Sequence, residues 1–333
     1  MVMKKCLILC AIGWVIIISI KIVRSSTTTI QTENRQELSY CFILGEDKGE
    51  HQFYTLAEEY FNTDSVKSCN KIIKHIRSFE DLNHFLNSQT LTTPIDRIEI
   101  VVHGNVWSGL SASIIDGGER AYPKELLKAT LKGEIPVLNH NVVDSNTVIN
   151  VWGCGIGTNP LLQIGVKNCF KTMTGQQPKV NLSKKFVVFK RVSNTVRLVQ
   201  ASYWPYFFKK GYRPSEQTIA KELAKQYPDK NLDDAFNAEN KSHQVEEFSI
   251  LIKWKVRYAT KAERPDLTTT DSQLQWIKSQ PKLMQKIIDL SIPIDQYKWV
   301  VQKVLEYKED GSFVPFVQAI GMSRVLCVLD MKD

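Results

Sequence analysis

The sequence predicts an α/β fold with a mostly parallel sheet, on three observations. Apolar runs of strand length, such as Ile98–Val102 and Thr147–Trp152, are continuous rather than alternating, which is typical of strands buried on both faces. Segments with helical character separate these runs, as in βαβ units. The composition is that of an ordinary globular protein, with 43% hydrophobic and 23% charged residues. Together these patterns favour a three-layer α/β sandwich.

The N-terminus, residues 1–24, predicts a targeting segment rather than part of the fold. Lys4 and Lys5 precede an apolar run from Cys6 to Ile20, which is the pattern of an export signal. If Lys21 snorkels, the segment Cys6–Val23 is just long enough to span a membrane. Basic residues so near a cleavage site favour an uncleaved anchor over a signal peptide, and both alternatives stay open. We expect a body that is exported: anchored in the membrane and facing the periplasm or cell exterior, or secreted.

Residues 25–37 are rich in Ser, Thr, Gln and Asn and predict a flexible tether. The body of the fold then begins, and its predicted elements follow from apolar runs, capping residues and Gly or Pro boundaries. The first elements are a strand over Leu38–Leu44, a helix over His51–Phe61, a strand over Ile72–Ile76, a helix capped by Ser78 and running to Leu86, a strand over Ile98–Val102, a helix over Pro123–Lys132 and a strand over Val148–Trp152.

After the last of these strands the pattern changes, and we place a soft boundary near residue 212. A catalytic domain over 38–212 and an α+β, helix-rich region over 213–333 are expected. The predicted elements here are a hairpin formed by Phe186–Phe189 and Val196–Val199, an aromatic cluster over Ser202–Phe208, helices over 217–226, 271–279, 283–290 and 295–307, and strands over Phe248–Val256 and Arg324–Leu329.

Charge and cysteine usage exclude several classes of protein. The net charge of +8 is spread along the chain without a run of five basic residues, so no nucleic-acid partner is predicted. Five cysteines follow the apolar N-terminal run, so in an oxidising compartment at most two disulfides form and one thiol stays free. No spacing of Cys and His reads as a zinc site, and we expect neither metal nor cofactor.

Two predicted strands run into residues that could form a nucleophile–base pair. Ile98–Val102 is followed by His103, and Val148–Trp152 is followed, after one glycine, by Cys154. One helix, Pro123–Lys132, lies between them, which suits neighbouring parallel strands. The carboxyl ends of such strands line the ligand crevice of an α/β sheet. An imidazole there can lower the pKa of a thiol, so we expect His103 as base and Cys154 as nucleophile.

Glycines flank both residues and allow the backbone to approach a substrate closely. They are Gly104 after the His, and Gly153 and Gly155 around the Cys. We expect backbone N–H groups here, those of Gly104 and Cys154, to stabilise a tetrahedral oxyanion.

This arrangement resembles the caspase–gingipain–legumain superfamily of cysteine peptidases. Its members carry a hydrophobic strand followed by His-Gly and a second one followed by a small residue and Cys, here His103-Gly104 and Gly153-Cys154. The resemblance covers roughly residues 38–212 and rests on those two motifs. It implies a caspase-like fold and a peptidase acting on polypeptide substrates. It also implies that His103 is the general base and acid, Cys154 the nucleophile and Gly104 a support for the oxyanion.

The resemblance also suggests where a substrate pocket would lie. In the superfamily, pocket residues follow on the strands after the Cys, which here means Ser202, Tyr203 and Trp204. The segment around the nucleophile differs from the caspase pattern Gln-Ala-Cys-x-Gly, because it reads Gly153-Cys154-Gly155. The specificity for the cleaved residue is therefore not predicted.

Two alternatives to a peptidase stay open. One is a non-catalytic surface or assembly protein of the same fold, in which Cys154 is a small buried hydrophobe. The other is a hydrolase of a different acyl substrate that uses the same pair. An α/β-hydrolase is the nearest competitor, because His103-Gly104 resembles the oxyanion turn of that fold. It is not our first choice, because Trp152 and Ile156 occupy the outer positions where its nucleophile elbow needs glycine.

Overall fold

Strands and helices alternate along the first half of the chain, as the sequence predicts. The structure is a computed structural model that describes residues 37–63, 68–232, 235–237 and 243–331. The predicted export segment and all but the last residue of the predicted tether lie outside the described residues. The elements of this half are β1 (Ser39–Ile43), α1 (Phe53–Asn62), β2 (Lys71–Ile73), α2 (Phe79–Ser88), β3 (Arg97–Val101), β4 (Gly104–Asn105), β5 (Gly109–Leu110), α3 (Pro123–Lys132), β6 (Val148–Trp152), α4 (Pro160–Cys169) and β7 (Lys179–Leu182).

Five of these strands form a wholly parallel sheet in the order β2–β1–β3–β6–β7. One face packs against α2, α3 and α4 through a large apolar cluster that includes Ile100 and Val151. The other face packs against α1 and β8 (Phe186–Val192) through a second cluster that includes Val101. The fold class is therefore α/β with a parallel sheet, covered on both faces and compatible with a three-layer sandwich.

Capping residues place several helix ends as the sequence predicts. The Ser78 hydroxyl accepts a hydrogen bond from the Asp81 N–H at 3.0 Å and begins α2. Gly133 ends α3 with a φ of 73°, a left-handed conformation that glycine adopts without a Cβ clash. Three features of this half were not predicted: helix α4, strand β7 and the short hairpin of β4 and β5. The predicted strand over Ile72–Ile76 is shorter and lies at Lys71–Ile73.

The second half of the chain forms a large antiparallel sheet flanked by helices. Its elements after β8 are β9 (Thr195–Lys209), α5 (Glu216–Gln226), β10 (His243–Arg257), α6 (Thr270–Lys278), α7 (Pro281–Asp289), β11 (Lys298–Tyr307) and β12 (Phe313–Asp330). The strand order is β10–β12–β9–β8. Strand β9 pairs with residues 323–330 of β12, and β11 pairs with residues 313–322 of the same strand. The predicted hairpin is confirmed, since β8 and β9 pair antiparallel around Ser193 and Asn194. The predicted boundary near residue 212 falls within one compact unit that begins at Leu38.

The helix predicted over 295–307 is wrong, because most of this segment is strand β11. Trp299, Val301 and Val304 are partly buried, and β11 pairs along its whole length with β12. Cross-strand pairing therefore outweighs the weak helical pattern of this segment. The described residues after 212 form three long strands as well as three helices, so a helix-rich region is not confirmed. Among the described residues no helix is both long and apolar enough to cross a membrane.

Candidate active site

The ends of β3 and β6 lie side by side at the centre of the parallel sheet. Val101 and Trp152 are register partners, and the Val102 N–H donates a hydrogen bond to the Trp152 carbonyl at 3.1 Å. The prediction that His103 and Cys154 follow adjacent parallel strands is therefore confirmed. Just beyond the ladder, the Cys154 N–H donates to the carbonyl of Gly104 at 3.2 Å. The two segments are thus joined by the backbone immediately after the His.

Helix α1 positions His103. The imidazole ring of His103 stacks on the Phe53 ring, with centroids 4.4 Å apart. It is T-shaped to the Tyr54 ring, with centroids 4.7 Å apart. The His103 N–H donates to the Tyr54 hydroxyl at 3.0 Å, and the His103 carbonyl accepts from the Ser111 N–H at 2.7 Å. Although the residue as a whole is exposed, its ring faces and its backbone are held. The imidazole is oriented at the edge of the site and remains open to solvent.

The pKa of His103 is set by opposing influences. Desolvation by burial lowers it below the ordinary value, the nearby Asp47 carboxylate opposes that shift, and His51 and Arg120 add to it. Asp47 itself accepts hydrogen bonds from the N–H groups of Tyr54 and Thr55, at 3.0 and 2.8 Å, and so caps α1. Burial alone would raise the pKa of Asp47, but these bonds outweigh it and lower the pKa. His103 is therefore biased towards the neutral form that a general base requires.

The side chain of Cys154 is half-buried against the second half of the chain. Its thiol donates a hydrogen bond to the Val187 carbonyl of β8 at 3.6 Å, and it packs against a cluster that includes Trp107 and Cys327. Burial raises the pKa of Cys154 to about 12, and the Glu246 carboxylate adds to the shift. In this arrangement the sulfur is a protonated, apolar-packed thiol.

Within the described part of the chain, no hydrogen bond joins the Cys154 thiol to the imidazole of His103. The thiol is directed at β8, whereas the ring is held against α1. The expected oxyanion donor at Cys154 is also engaged, because its N–H is bonded to Gly104. The structure therefore brings the predicted residues to one rim of the sheet without forming a thiolate–imidazolium pair.

The two glycines beside the pair are required by close packing. A Cβ at Gly104 would lie 2.9 Å from the Gly109 carbonyl oxygen, and one at Gly153 would lie 3.0 Å from the Val102 carbonyl oxygen. A side chain at Gly153 would press on the end of β3, and one at Gly104 would press on the neighbouring hairpin strand β5. This structural requirement accounts for both glycines independently of chemistry.

Only one of the three predicted pocket residues lies in the cluster of Cys154. Tyr203 packs there, with its ring 4.8 Å from that of Phe186 and 6.5 Å from that of Trp107. Trp204 packs instead in the cluster formed with helix α5, since successive residues of a strand face opposite sides. Ser202 is exposed. Tyr203 is thus the residue that could line a pocket beside the thiol.

A buried carboxylate beneath the pair was not predicted from the sequence. Glu99 of β3 accepts hydrogen bonds from Trp152 Nε1 at 2.6 Å and Asn150 Nδ2 at 3.1 Å, and it forms an ion pair with Arg97 at 3.2 Å. These contacts attach β6 to β3, four residues before His103 along one strand and two to four residues before Cys154 along the other. The sequence carries a signal for this carboxylate, because Glu99 lies inside an apolar strand segment. A buried acid needs hydrogen-bond or ionic partners.

The turn after the His-Gly pair is held by a second unpredicted residue. The Asn105 side-chain oxygen accepts hydrogen bonds from the N–H groups of Trp107 and Ser108, at 3.1 and 2.8 Å. This Asx turn directs Trp107 into the cluster around Cys154.

No group of three or more His, Cys, Asp or Glu residues that could hold a metal ion occurs in the described ranges. Comparison of the chain with known protein families, with curated proteins and with solved structures gives no match.

Proposed function

We propose that this protein is a cysteine endopeptidase of the caspase–gingipain–legumain type, with Cys154 as nucleophile and His103 as general base and acid. The observation that carries the proposal is the adjacency of the two strand ends, where the backbone of Cys154 is bonded to the residue after His103. Neighbouring central strands of a parallel sheet are where an α/β fold presents reactive side chains to a ligand. The substrate is a polypeptide, and the chemistry uses no cofactor.

In the proposed reaction, the Cys154 sulfur attacks the carbonyl carbon of a peptide bond. His103 accepts the thiol proton and donates it to the leaving amine, so that the C–N bond breaks and a thioester forms. Water then attacks the thioester, giving its proton to His103, and the thiol is regenerated with that proton. The peptide is hydrolysed to a carboxylic acid and an amine. Asp47, close to the imidazole, favours its protonated form during the transfer.

We further propose that the described arrangement is latent. The Cys154 thiol must leave the Val187 carbonyl to reach His103, and the Cys154 N–H must leave Gly104 to bind an oxyanion. Both changes require movement of the short segment between β6 and α4 or of strand β8. Binding of substrate along this edge would stabilise the rearranged state in proportion to its greater affinity for that state.

The test is cleavage of a diverse peptide library by the full-length protein, read by mass spectrometry. The variants Cys154→Ala and His103→Ala remove the two proposed groups, and Cys169→Ala is the matched control for losing a buried thiol elsewhere. We expect cleavage by the wild type and by Cys169→Ala, with none by Cys154→Ala and at least about a hundredfold less by His103→Ala. Identical cleavage by Cys154→Ala, or no cleavage by any of them, overturns the proposal.

A second candidate is a non-catalytic surface or assembly protein, and one observation favours it. The Cys154 thiol is packed among apolar side chains, and burial raises its pKa to about 12, as expected for an inert cysteine. Under this alternative no peptide or ester substrate is cleaved, and Cys154→Ala behaves as the wild type in every assay. Cleavage of esters but not of peptides would instead indicate a hydrolase of another acyl substrate.

The proposed location is outside the cytoplasm, with the N-terminal segment as a membrane anchor or a signal peptide. The support is the sequence pattern of Lys4, Lys5 and the apolar run from Cys6. Protease added to cells whose outer membrane, where there is one, has been permeabilised should degrade an anchored body. Full protection, together with absence of the protein from the medium, would contradict export.

A further inference from the structure

The ends of two helices form an exposed surface at the edge of the parallel sheet where its strands begin. Helices α3 and α4 each lead into the next parallel strand, so their C-terminal ends lie at this edge. The Asn83 side-chain amide donates to the carbonyls of Pro136 and Cys169, at 2.6 and 2.7 Å, and so joins the segment after α3 to the end of α4. Leu138 and Thr172 then form a parallel bridge. We call the surface formed by these helix ends and the segments after them the amino-edge face.

Three large apolar side chains of the amino-edge face are exposed to solvent. Leu131 at the end of α3 is 73% exposed, Met173 after α4 is 72% exposed, and Val137 between α3 and β6 is 49% exposed. The segments of Val137 and Met173 are adjacent, since the Met173 N–H donates to the carbonyl of Leu138 at 3.1 Å. Exposed apolar side chains that share one face mark a surface for a partner or a membrane.

Lysines accompany these apolar side chains. Lys167 lies in the last turn of α4, Lys171 follows that helix, and Lys179 begins β7. All three are exposed. Within the described residues, none of the three forms an ion pair. Their ammonium groups are therefore available to an anionic partner.

Acids at this edge are engaged within the fold. Glu134 forms an ion pair with Lys132 at 3.3 Å. Asp96 Oδ2 accepts a hydrogen bond from the Leu38 N–H at 2.8 Å, and an Asp144 carboxylate oxygen accepts one from its own loop at 3.0 Å. These acids do not neutralise the three exposed lysines, so the amino-edge face combines apolar side chains with positive charge.

We propose that the amino-edge face docks on the surface of a bilayer that contains anionic phospholipid. The apolar side chains would enter the headgroup region, and the lysine ammonium groups would bind lipid phosphates while their methylene stems lie along the apolar phase. A second copy of this chain suits the face less well, because lysines of facing copies would repel each other and protein interfaces are depleted in lysine. The proposal does not depend on the proposed peptidase activity.

The chain enters the fold at this same edge. Leu38 immediately precedes β1, and its carbonyl accepts hydrogen bonds from the N–H groups of Asp96 and Arg97, at 2.9 and 3.2 Å. The anchor predicted from the sequence ends at residue 24, and residues 25–37 span at most about 45 Å when extended. A body tethered so close to a bilayer meets the lipid surface at a high effective concentration, so a modest surface contact is enough to orient it.

Docking by the amino-edge face would set the direction of the candidate site. His103 and Cys154 follow the carboxyl ends of β3 and β6, which are strands of five residues, about 17 Å long. The amino-edge face lies at the opposite ends of these strands. A docked protein would therefore present the candidate site to the aqueous phase rather than to the lipid.

The test is lysine footprinting of the full-length protein in vesicles of phosphatidylcholine, with or without phosphatidylglycerol. A water-soluble acetylating reagent labels exposed amines, and mass spectrometry gives the rate at each lysine. With phosphatidylglycerol at about 30%, we expect labelling of Lys167, Lys171 and Lys179 to fall at least about fivefold, and about 0.5 M salt to reverse this. Lys221 on α5 and Lys282 on α7 are exposed and lie on other helices. They should label equally in both vesicles.

A pair of charge variants tests the role of the lysines. Lys167→Gln combined with Lys171→Gln should weaken docking by about thirtyfold, because each lysine near an anionic surface contributes about fivefold. Lys179 then loses its protection in the anionic vesicles. Lys221→Gln combined with Lys282→Gln has the same net charge and is the matched control, in which Lys179 stays protected.

A pair of apolar variants tests the role of the exposed hydrophobic side chains. Leu131→Ser combined with Met173→Ser should also remove the protection of Lys179, because less apolar area enters the headgroup region. Ile288→Ser is the matched control, since Ile288 on α7 is 62% exposed and lies outside the face. All of these side chains are exposed, so the variants keep the fold.

Equal labelling of the face in both kinds of vesicle, or equal protection of Lys221 and Lys282, would overturn the proposal. Protection that appears without lipid and rises with protein concentration would also overturn it, because the face would then be a contact between copies. Insertion of the N-terminal segment is measured separately, by retention on phosphatidylcholine vesicles at high salt. Without such retention the footprint is read with lipid in excess, and the same criteria apply.

Discussion

The backbone N–H of Cys154 donates a hydrogen bond to the carbonyl of Gly104, the residue that follows His103, at 3.2 Å. This bond continues the contact between β3 and β6 beyond their ladder and draws the two proposed reactive segments together. It also occupies a donor that an oxyanion would need. The same contact therefore supports the proposed site and keeps it latent.

Cys154 should react slowly with a small alkylating reagent when no substrate is present. Both residues are half-buried, but burial raises the pKa of the Cys154 thiol to about 12, whereas the pKa of Cys69 is lowered. In the reduced wild-type protein at pH 8, we expect iodoacetamide to modify Cys69 at least about ten times faster than Cys154. A time course of peptide masses measures both rates. Equal rates would contradict the opposite pKa shifts of the two thiols.

The pKa of His103 should respond in opposite directions to two substitutions. Phe53→Ala exposes a ring face and raises the pKa towards its ordinary value of 6.5, because desolvation is the main cause of the shift. Asp47→Asn keeps an oxygen to cap α1 but removes the attracting charge, so it lowers the pKa further. An NMR titration of the imidazole measures both. A shift of the same sign in the two variants would contradict the described surroundings.

The lowered pKa of His103 also predicts how stability depends on pH. The unfolded chain binds the proton of His103 more tightly than the folded protein does. The stability that depends on neutral His103 is therefore fully present above the unfolded pKa. It is lost as pH falls from about 6.5 to the lower folded pKa. Denaturant unfolding at several pH values should show a smaller loss in this window for Phe53→Ala than for the wild type. An equal loss in both would show that the ring is not desolvated by Phe53.

Removal of the buried Glu99 carboxylate should destabilise the protein strongly. Glu99→Ala leaves Trp152, Asn150 and Arg97 without their shared acceptor. We expect a loss of about 3–5 kcal/mol in the free energy of unfolding. Glu134, whose ion pair with Lys132 is on the surface, is the matched control, and Glu134→Ala should cost less than about 1 kcal/mol. Similar losses in the two variants would contradict the anchoring role of Glu99.

The parallel sheet could be predicted because its strands are short, continuous apolar runs with unambiguous ends. Val148–Trp152 and Pro123–Lys132 have the predicted bounds, since glycine and proline mark where each begins or ends. The segment 295–307 could not be predicted in this way. Its side chains suit a strand only once β12 lies beside it, and that pairing joins residues that are distant along the chain.

The candidate site shows the same division between local and long-range information. The apolar runs and the glycines that follow them are local patterns, and from them the sequence predicts that His103 and Cys154 follow neighbouring strands. The orientation of the thiol depends on Val187 of β8, and the carboxylate of Glu99 depends on partners in β6. These contacts are made by residues far apart along the chain. The local sequence could signal a buried Glu99, but it could not indicate the partners of either side chain.

The proposal that Cys154 is a nucleophile activated by His103 is tested most directly by covalent trapping. The full-length reduced protein is incubated with a mixture of peptidyl chloromethyl ketones of varied sequence, and the modified residue is identified by mass spectrometry. We expect an adduct at Cys154 whose rate depends on the peptide sequence of the reagent, formed at least about a hundredfold more slowly in His103→Ala and unaffected in Cys169→Ala. Modification confined to Cys69, or a rate at Cys154 that does not depend on His103, would contradict it.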